Sequence, residues 1–294
     1  RKIDVSIVGK GPDLTIFGEY STGAVARALA AVLGKELPSA DGAAIDVSRL
    51  PGRPPNLCAG CSHRAMYYAV RKVFGDEAVY SSDIGCYTLG MVPPLRAADF
   101  LFCMGSSVSA GSGFAMVSDR PVVGFIGDST FFHSGMTGLA NAVFNKHDVL
   151  LVILDNGTTA MTGQQGNPFN GVTLQNRESN ELNLPVILDA IGVDHVQVVD
   201  AFDRDAVRGA LKEALGRDEL DVIVFRGPCV LLSKTKDKPY YVNENCTGCG
   251  VCVTLGCPAI STDRETGFSS IDTDMCNGCS QCAQYCAFDA IERL

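Results

Sequence analysis

The chain has 294 residues, of which 46% are hydrophobic and 19% are charged; this balance is typical of a folded protein and excludes a disordered one. The net charge of −9 leaves no basic surface for nucleic-acid binding. No apolar run approaches the roughly 18 residues of a membrane-spanning helix, and no basic and apolar leader is visible. We therefore expect about two domains in a cytoplasmic protein, or in a piece of one.

The first 57 residues are expected to form a connector between domains. They are rich in Gly and Pro at both ends, and residues 50–55 have the composition of a linker. One helix is predicted from Ser21 to Leu33, because Ser21 is a suitable N-cap and Gly34 a suitable stop.

Strands and helices alternate over residues 58–233. The predicted strands are Val122–Ile126, Val149–Leu154, His195–Val199 and Val222–Phe225, and the predicted helices are Ser134–Lys146 and Asp205–Leu215. Short apolar strands separated by helices indicate an α/β fold with a parallel sheet that is covered on both faces. In such sheets ligands bind beyond the carboxyl ends of the strands, so we expect a site there.

Cysteine distinguishes the last part of the chain, residues 240–294. There are 13 cysteines, and eight of them lie in the last 49 residues. Disulfides are rare in proteins without a secretory signal, so clustered thiols are expected to hold metal. Three cysteines recur after 30 positions, and one more follows each group of three. The two groups are Cys246, Cys249, Cys252 with Cys257, and Cys276, Cys279, Cys282 with Cys286.

The repeated Cys-x₂-Cys-x₂-Cys spacing, in loops that contain Gly, resembles that of bacterial two-cluster ferredoxins. The resemblance implies a small ferredoxin-like α+β domain with two [4Fe–4S] clusters, in which the fourth ligand of each cluster comes from the other half. It implies one cluster on Cys246, Cys249, Cys252 and Cys286, and a second on Cys276, Cys279, Cys282 and Cys257.

Two departures from the ferredoxin pattern are visible. Four residues separate Cys252 from Cys257 where three are usual, and Ala287 stands where a proline is usual. A zinc site is the alternative, because paired Cys-x₂-Cys motifs also bind zinc.

Polar residues follow two of the predicted strands. Asp128 comes after the first strand, and Asn156 follows the second strand 28 positions later. We expect these strands to be neighbours, so that both side chains lie at one edge of the sheet. Their oxygens, with a main-chain carbonyl, suit Mg²⁺, and the helix predicted from Ser134 turns its anion-favouring N-terminus to the same edge.

This pattern resembles the Gly-Asp-Gly and Asn signature of thiamine diphosphate enzymes, with Ser129 in place of the last glycine. The resemblance implies Mg²⁺ on Asp128, Asn156 and the carbonyl of Thr158. An ordinary aspartate at a strand end is the alternative. The cofactor-binding residues that the family resemblances imply are Cys61, His63, Gly105, Gly127, Asp128, Ser129, Asn156 and Thr158.

The remaining cysteines resemble those of the 2-oxoacid:ferredoxin oxidoreductases. The matching features are Cys58-Ala-Gly-Cys61-Ser-His63, then Cys86, and then Cys229 in Arg-Gly-Pro-Cys. The resemblance implies a third [4Fe–4S] cluster on Cys58, Cys61, Cys86 and Cys229, close to thiamine diphosphate. Alternatively, Cys86 and Cys229 are small core residues, as free cysteines often are.

The remaining predictions concern His63, His133 and Cys103. The family resemblance implies a catalytic role for His63 near the diphosphate and for His133 near the substrate. Cys103 is left over from the three sets of four cysteines and lies in an apolar run, so we expect it to be a buried thiol.

Within this family, the cysteine-rich domain after the cofactor domain, together with Thr159-Ala-Met-Thr-Gly-Gln, resembles the branch that acts on aryl 2-oxoacids. The likeness covers residues 50–294, with residues 1–49 resembling its inter-domain helix. Family subunits are about twice as long, and their other half carries the pyrimidine-binding domain with an activating glutamate. That half is expected from the same subunit or from a separate chain.

The implied reaction is oxidative decarboxylation of indolepyruvate or phenylpyruvate to aryl-acetyl-CoA and CO₂. Coenzyme A is the implied co-substrate, and a smaller β/γ-type subunit and an external ferredoxin are the implied partners. Three alternatives stay open: another 2-oxoacid such as pyruvate or 2-oxoglutarate, a non-oxidative thiamine decarboxylase, and a pure electron carrier.

Overall fold

The computed structural model describes residues 10, 14–37, 46, 48, 50, 52, 54–233 and 237–294. The chain divides into two compact units, residues 1–53 and 54–294. In the first unit, helix α1 spans Thr22–Leu33; Ser21 accepts a hydrogen bond from the N–H of Ala24, and Gly34 ends the helix at φ 60°. The predicted helix and both of its caps are therefore confirmed. The predicted linker includes residues 51 and 53, which lie outside the described residues.

A five-stranded parallel sheet forms the centre of the second unit. Its strands are β1 (Val79–Ser81), β2 (Val122–Gly127), β3 (Leu150–Asp155), β4 (His195–Asp200) and β5 (Asp221–Arg226). They lie in the order β1-β2-β3-β5-β4, and every neighbouring pair is parallel. The parallel α/β sheet is thus confirmed. Strand β4 lies at an edge and is partly exposed, which differs from the expectation of strands buried on both faces.

Helices cover both faces of this sheet. Side chains of α2 (Ser62–Phe74) and α7 (Arg204–Leu215) pack with one face, and those of α3 (Ser106–Ala115), α5 (Met136–Asn145) and α6 (Leu184–Ile191) pack with the other. Helix α7 begins one residue before the predicted helix and ends at the predicted residue. Asp203 caps its N-terminus by accepting from the N–H groups of Asp205 and Ala206.

The helix predicted from Ser134 begins earlier than expected. A short helix α4 (Asp128–Thr130) follows β2 directly and continues through a π-helical turn (Phe131–Gly135) into α5. Phe131 is fully buried, so the apolar face of the helical run starts before Ser134. The N-terminus of the run therefore lies at Asp128 itself.

Residues 237–294 form a small α+β layer on the α2 and α7 side. Its elements are the antiparallel pair β6 (Tyr240–Val242) with β9 (Ile291–Arg293), the antiparallel pair β7 (Ile260–Thr262) with β8 (Ser269–Ile271), and helix α8 (Gln281–Gln284). Leu255, Cys282 and Ile291 join the hydrophobic core of that side. The amides of Gln281 and Gln284 donate to the carbonyl of Phe202, at 3.0 and 2.7 Å.

Because apolar packing and buried hydrogen bonds hold this layer against the sheet domain, the cysteines of both parts keep fixed relative positions. Among the helices of the described ranges, none has the length and apolarity to cross a lipid bilayer.

Candidate functional site

A small cavity opens at the edge where β2 and β3 end side by side. Gly127 pairs with Leu154 in the parallel register, so the residues after the two strands meet there. The cavity measures about 120 Å³. Seven residues predicted to bind the cofactor or a cluster line it, namely His63, Cys86, Gly127, Asp128, Ser129, Asn156 and Thr158.

Asp128 is the acidic group of this cavity and is 3% exposed. Its Oδ1 accepts from the N–H of Ser129 at 2.7 Å, and its Oδ2 accepts from the N–H of Gly157 at 3.1 Å and the amide of Asn167 at 3.2 Å. Burial, with a smaller effect from Asp155, raises the pKa of Asp128 to about 7. In the described ranges no Lys, Arg or His forms an ion pair with it. A buried carboxylate of this kind suits a divalent cation, which stabilises its charged form.

The other two predicted magnesium ligands lie beside Asp128. Asn156 and Thr158 are both buried, and the Oδ1 of Asn156 accepts from the N–H of Thr158 at 3.1 Å. Across the described part of the chain, no three His, Cys, Asp or Glu side chains are placed to hold one metal ion. The predicted donors here are one carboxylate, one amide and one main-chain carbonyl, and this set of hard oxygens fits Mg²⁺.

His63 contacts this group from the first turn of α2. It is 2% exposed, and burial lowers its pKa to about 4, so that the ring is neutral at pH 7. Its Nε2 lies 3.3 Å from the amide nitrogen of Asn156. His133, in contrast, is exposed and does not line the cavity; its Nδ1 lies 3.0 Å from the hydroxyl of Ser134. The catalytic role of each histidine stays a prediction.

Tyr87 lines the cavity, and the sequence did not predict this role. Its ring lies edge-on to His63, with 5.9 Å between centroids, and its hydroxyl contacts the hydroxyl of Thr130. A Cβ atom added to Gly127 would lie 2.3 Å from this ring. The glycine before Asp128 is therefore required by packing, since its φ of −82° is ordinary.

Asp83 and Asn167 are two further residues that the sequence did not reveal. The carboxylate of Asp83 is fully buried and accepts from the N–H groups of Gly105 at 2.8 Å and Ser107 at 3.0 Å. It thereby fixes Gly105 at φ 85° at the start of α3. Asp83 lies two residues after β1, whose three residues are too few for a clear strand pattern. Asn167 donates a hydrogen bond to Asp128 although 39 positions separate the two residues, so no local sequence pattern predicts this contact.

Four cysteines gather next to the cavity, and we call Cys58, Cys61, Cys86 and Cys229 the proximal set. Burial raises the pKa of the Cys86 thiol, and the charges of Cys229 and Cys58 raise it further. Burial and the charge of Cys58 also raise the pKa of the Cys229 thiol. Cys61 precedes α2, and Cys58 also acts on its pKa.

Hydrogen bonds hold the proximal set against the cavity. The N–H of Cys229 donates to the carbonyl of Asn156 at 3.0 Å, and the hydroxyl of Ser62 donates to the carbonyl of Gly227 at 2.9 Å. The end of β5 therefore lies beside the loop of residues 58–61, although about 170 positions separate them in the sequence. That the proximal set binds a cluster stays a prediction.

The remaining eight site cysteines form two groups that interlock. Tail set I, Cys246, Cys249, Cys252 and Cys286, lines one small cavity. Tail set II is Cys257, Cys276, Cys279 and Cys282. Burial, followed by the charges of Cys279, Cys257 and Cys276, raises the pKa of Cys282 to about 12. Each set thus takes its fourth member from the other half of the repeat, which is the grouping that the ferredoxin resemblance implies.

The expectation for Cys103 is wrong. Its side chain is exposed and not buried, as are those of its neighbours Phe102 and Met104. The apolar run lies in the loop before α3, where the hydroxyl of Ser106 accepts from the N–H of Cys103 at 3.1 Å. An apolar run in a loop does not imply burial, because surfaces also carry apolar side chains.

Sequence comparisons show which known proteins this chain is similar to. The profile of the family described as "Thiamine pyrophosphate enzyme, C-terminal TPP binding domain" matches residues 83–225. The indolepyruvate oxidoreductase subunit IorA of Thermococcus kodakarensis is 41% identical, over 94% of this chain and 47% of that protein. The IorA subunit of Methanothermobacter thermautotrophicus is 40% identical, over 99% of this chain and 48% of that protein. The chain spans about half the length of these relatives.

A solved structure is similar in fold. The 2-oxoglutarate:ferredoxin oxidoreductase from Magnetococcus marinus, with 2-oxoglutarate, coenzyme A and succinyl-CoA bound, superposes with a TM-score of 0.54. The two are 18% identical over 61% of this chain and 66% of that chain. The likeness supports the parallel-sheet architecture.

The contact between Gly127 and Tyr87 yields a test of how the cavity is built. Gly127→Ala should lower the free energy of unfolding by about 1–3 kcal/mol, because the new methyl group must displace a packed ring. Gly113→Ala is the matched control, since a Cβ atom on this exposed helical glycine meets nothing within 4 Å. Chemical denaturation measures both variants, and equal stabilities for the two would contradict the packing role of Gly127.

Proposed function

We propose that this chain, which belongs to the family of the IorA subunits of indolepyruvate oxidoreductases, carries the diphosphate-binding half of a thiamine diphosphate site and the first part of an electron path. One observation carries this proposal: the buried Asp128 and Asn156 lie directly beside the proximal set. The 3.0 Å hydrogen bond from the N–H of Cys229 to the carbonyl of Asn156 joins the two.

The residues present have distinct roles in this proposal. Asp128, Asn156 and the carbonyl of Thr158 bind Mg²⁺ and, through it, the diphosphate. Thiamine diphosphate, when bound, supplies the electron sink that decarboxylation of a 2-oxoacid requires. His63, neutral at pH 7 and buried, orients Asn156 without adding charge. The proximal set, tail set I and tail set II each hold one [4Fe–4S] cluster, and the tail residues form a ferredoxin-like domain.

Aryl 2-oxoacids are the substrates in this proposal. Indolepyruvate and phenylpyruvate would give aryl-acetyl-CoA and CO₂, with coenzyme A as the acyl acceptor and a ferredoxin as the electron acceptor. Two observations support the choice: the names of the relatives, which are 41% and 40% identical, and the position of the cysteine-rich part after the diphosphate-binding part.

The partners follow from what this chain spans. The relatives are about twice as long, so the pyrimidine-binding half, with its activating glutamate, comes from the same subunit or from a separate chain. A smaller β/γ-type subunit and an external ferredoxin complete the assembly. A cytoplasmic location is part of the proposal, because all 13 cysteines are free thiols and a reducing compartment keeps them so.

The magnesium assignment predicts the effect of Asp128→Ala. The complete protein with this change should lose at least about tenfold to hundredfold in Mg²⁺-dependent affinity for thiamine diphosphate, because its single carboxylate ligand is gone. Isothermal titration measures the affinity. Asp221→Ala is the control, since Asp221 is equally buried but is the first residue of β5. It therefore lies at the amino ends of the strands, away from the cavity. Wild-type affinity in Asp128→Ala would refute the assignment.

The electron path is tested by Cys229→Ala in the complete protein. Anaerobic reduction of ferredoxin should be blocked or greatly slowed with indolepyruvate, phenylpyruvate, pyruvate and 2-oxoglutarate alike, because the proximal cluster loses a ligand. In wild-type protein the two aryl substrates should be fastest. The tail clusters of the variant should still accept electrons from dithionite. A normal rate of ferredoxin reduction by Cys229→Ala would mean that Cys229 is only a core thiol.

A further inference from the structure

A buried arginine lies at the junction of the proximal set and tail set II. Arg64, in the first turn of α2, is 4% exposed. None of the ion pairs found in the described ranges includes it. Removing a guanidinium from water is costly unless an anion compensates its charge. Carboxylates do not compensate this one, so another source of negative charge is expected nearby.

The guanidinium of Arg64 bridges two segments that carry cysteines. Its Nη1 donates to the carbonyls of Leu255, at 3.2 Å, and Gly256. Its Nη2 donates to the carbonyls of Leu57 and Cys58, the latter at 3.4 Å, and to the amide oxygen of Asn56, also at 3.4 Å. The first segment leads into Cys257 and the second into Cys58. These bonds fix the positive charge in one place.

The nearby groups that carry negative charge when they bind a cluster are cysteines of both sets. Arg64 lines a cavity of about 30 Å³ together with Cys61 of the proximal set and Cys257, Cys279 and Cys282 of tail set II. Burial lowers the pKa of Arg64, and the charges of Cys257, Cys61, Cys58 and Cys279 oppose that effect.

The loops that carry the two sets also touch each other. Gly60, in the loop of the proximal set, has φ 70°, and a Cβ atom there would lie 1.9 Å from the side chain of Asn277, between Cys276 and Cys279. No side chain larger than that of glycine fits at this approach without displacing Asn277. Tail set II therefore lies next to the proximal set.

We propose that Arg64 is a positioning residue that raises the reduction potential of the clusters on the proximal set and tail set II. The inference rests on the proposed function, because it requires clusters on both sets. Each one-electron reduction adds a negative charge to a cluster. A fixed cation in a region of low dielectric constant stabilises that charge, so it favours the reduced form. The cluster on tail set I, which Arg64 does not contact, should keep its potential.

Three substitutions in the complete protein test this role: Arg64→Gln, Asn56→Asp and Arg64→Lys. Arg64→Gln removes the charge, and Asn56→Asp places a carboxylate beside the guanidinium without removing it; Asn56 is exposed, so this change should fold. Reduction potentials are measured by anaerobic redox titration followed by electron paramagnetic resonance. For Arg64→Gln we expect at least a tenfold loss in the equilibrium constant for reducing the two clusters, which is about 59 mV towards negative potential. Asn56→Asp should shift the potentials in the same direction by less, and Arg64→Lys should shift them less than Arg64→Gln.

The matched control is Arg120→Gln. Arg120, like Arg64, donates to several main-chain carbonyls, in its case those of Asp76, Glu77 and Ala78, but no cysteine lies among these partners. Iron and sulfide are measured first in every protein. Wild-type protein that cannot hold clusters would refute the proposed function and this inference with it. If Arg64→Gln fails to load, Asn56→Asp decides the question. Loaded variants whose potentials equal those of Arg120→Gln would refute the inference alone.

Discussion

The parallel register of the three central strands is the constraint on which the whole site depends. Strands β2, β3 and β5 are buried and lie side by side in parallel. Gly127 of β2 pairs with Leu154 of β3, and Leu154 pairs with Phe225 of β5. Each strand therefore ends at the same level, and the residues that follow meet at one edge. Asp128, Asn156 and Cys229 come from three such ends. A slip of one residue in any of these strands would exchange the side chains that pack on its two buried faces, so the packing of both helical layers fixes this meeting point.

Two buried charged side chains determine what this part of the structure can bind. Asp128 is a carboxylate without a cationic partner, and Arg64 is a guanidinium without a carboxylate partner, in the part of the chain that the structure describes. Each destabilises the fold unless an opposite charge compensates it. A divalent cation on the first and anionic iron–sulfur clusters beside the second would do so. Asp128 lines a cavity with Cys86 of the proximal set, and Arg64 lines another with Cys61, so a bound cation and bound clusters would compensate both charges in one region.

Local patterns predicted what depends on local chemistry. The apolar runs predicted β2, β3 and β5, and the cysteine spacing showed a repeat whose resemblance to ferredoxins implied two groups that exchange their fourth members. Contacts between residues that are distant in the sequence could not be predicted from local patterns. Arg64 meets Gly256 across 192 positions, and Ser62 meets Gly227 across 165. The exposure of Cys103 and the early start of the helix at Asp128 were missed because both depend on where a loop packs, which composition does not encode.

The most direct test of the account is the iron content of the chain. Three clusters on the proximal set, tail set I and tail set II require about 12 iron and 12 sulfide per chain after anaerobic purification or reconstitution. Cys103→Ser is the matched control, since this cysteine is exposed and belongs to none of the sets, and it should leave the content unchanged. A content near 12 that is insensitive to Cys103→Ser agrees with the account. A content of about 8 in protein that reduces ferredoxin normally would contradict it, because the cluster beside Asn156 would then be absent.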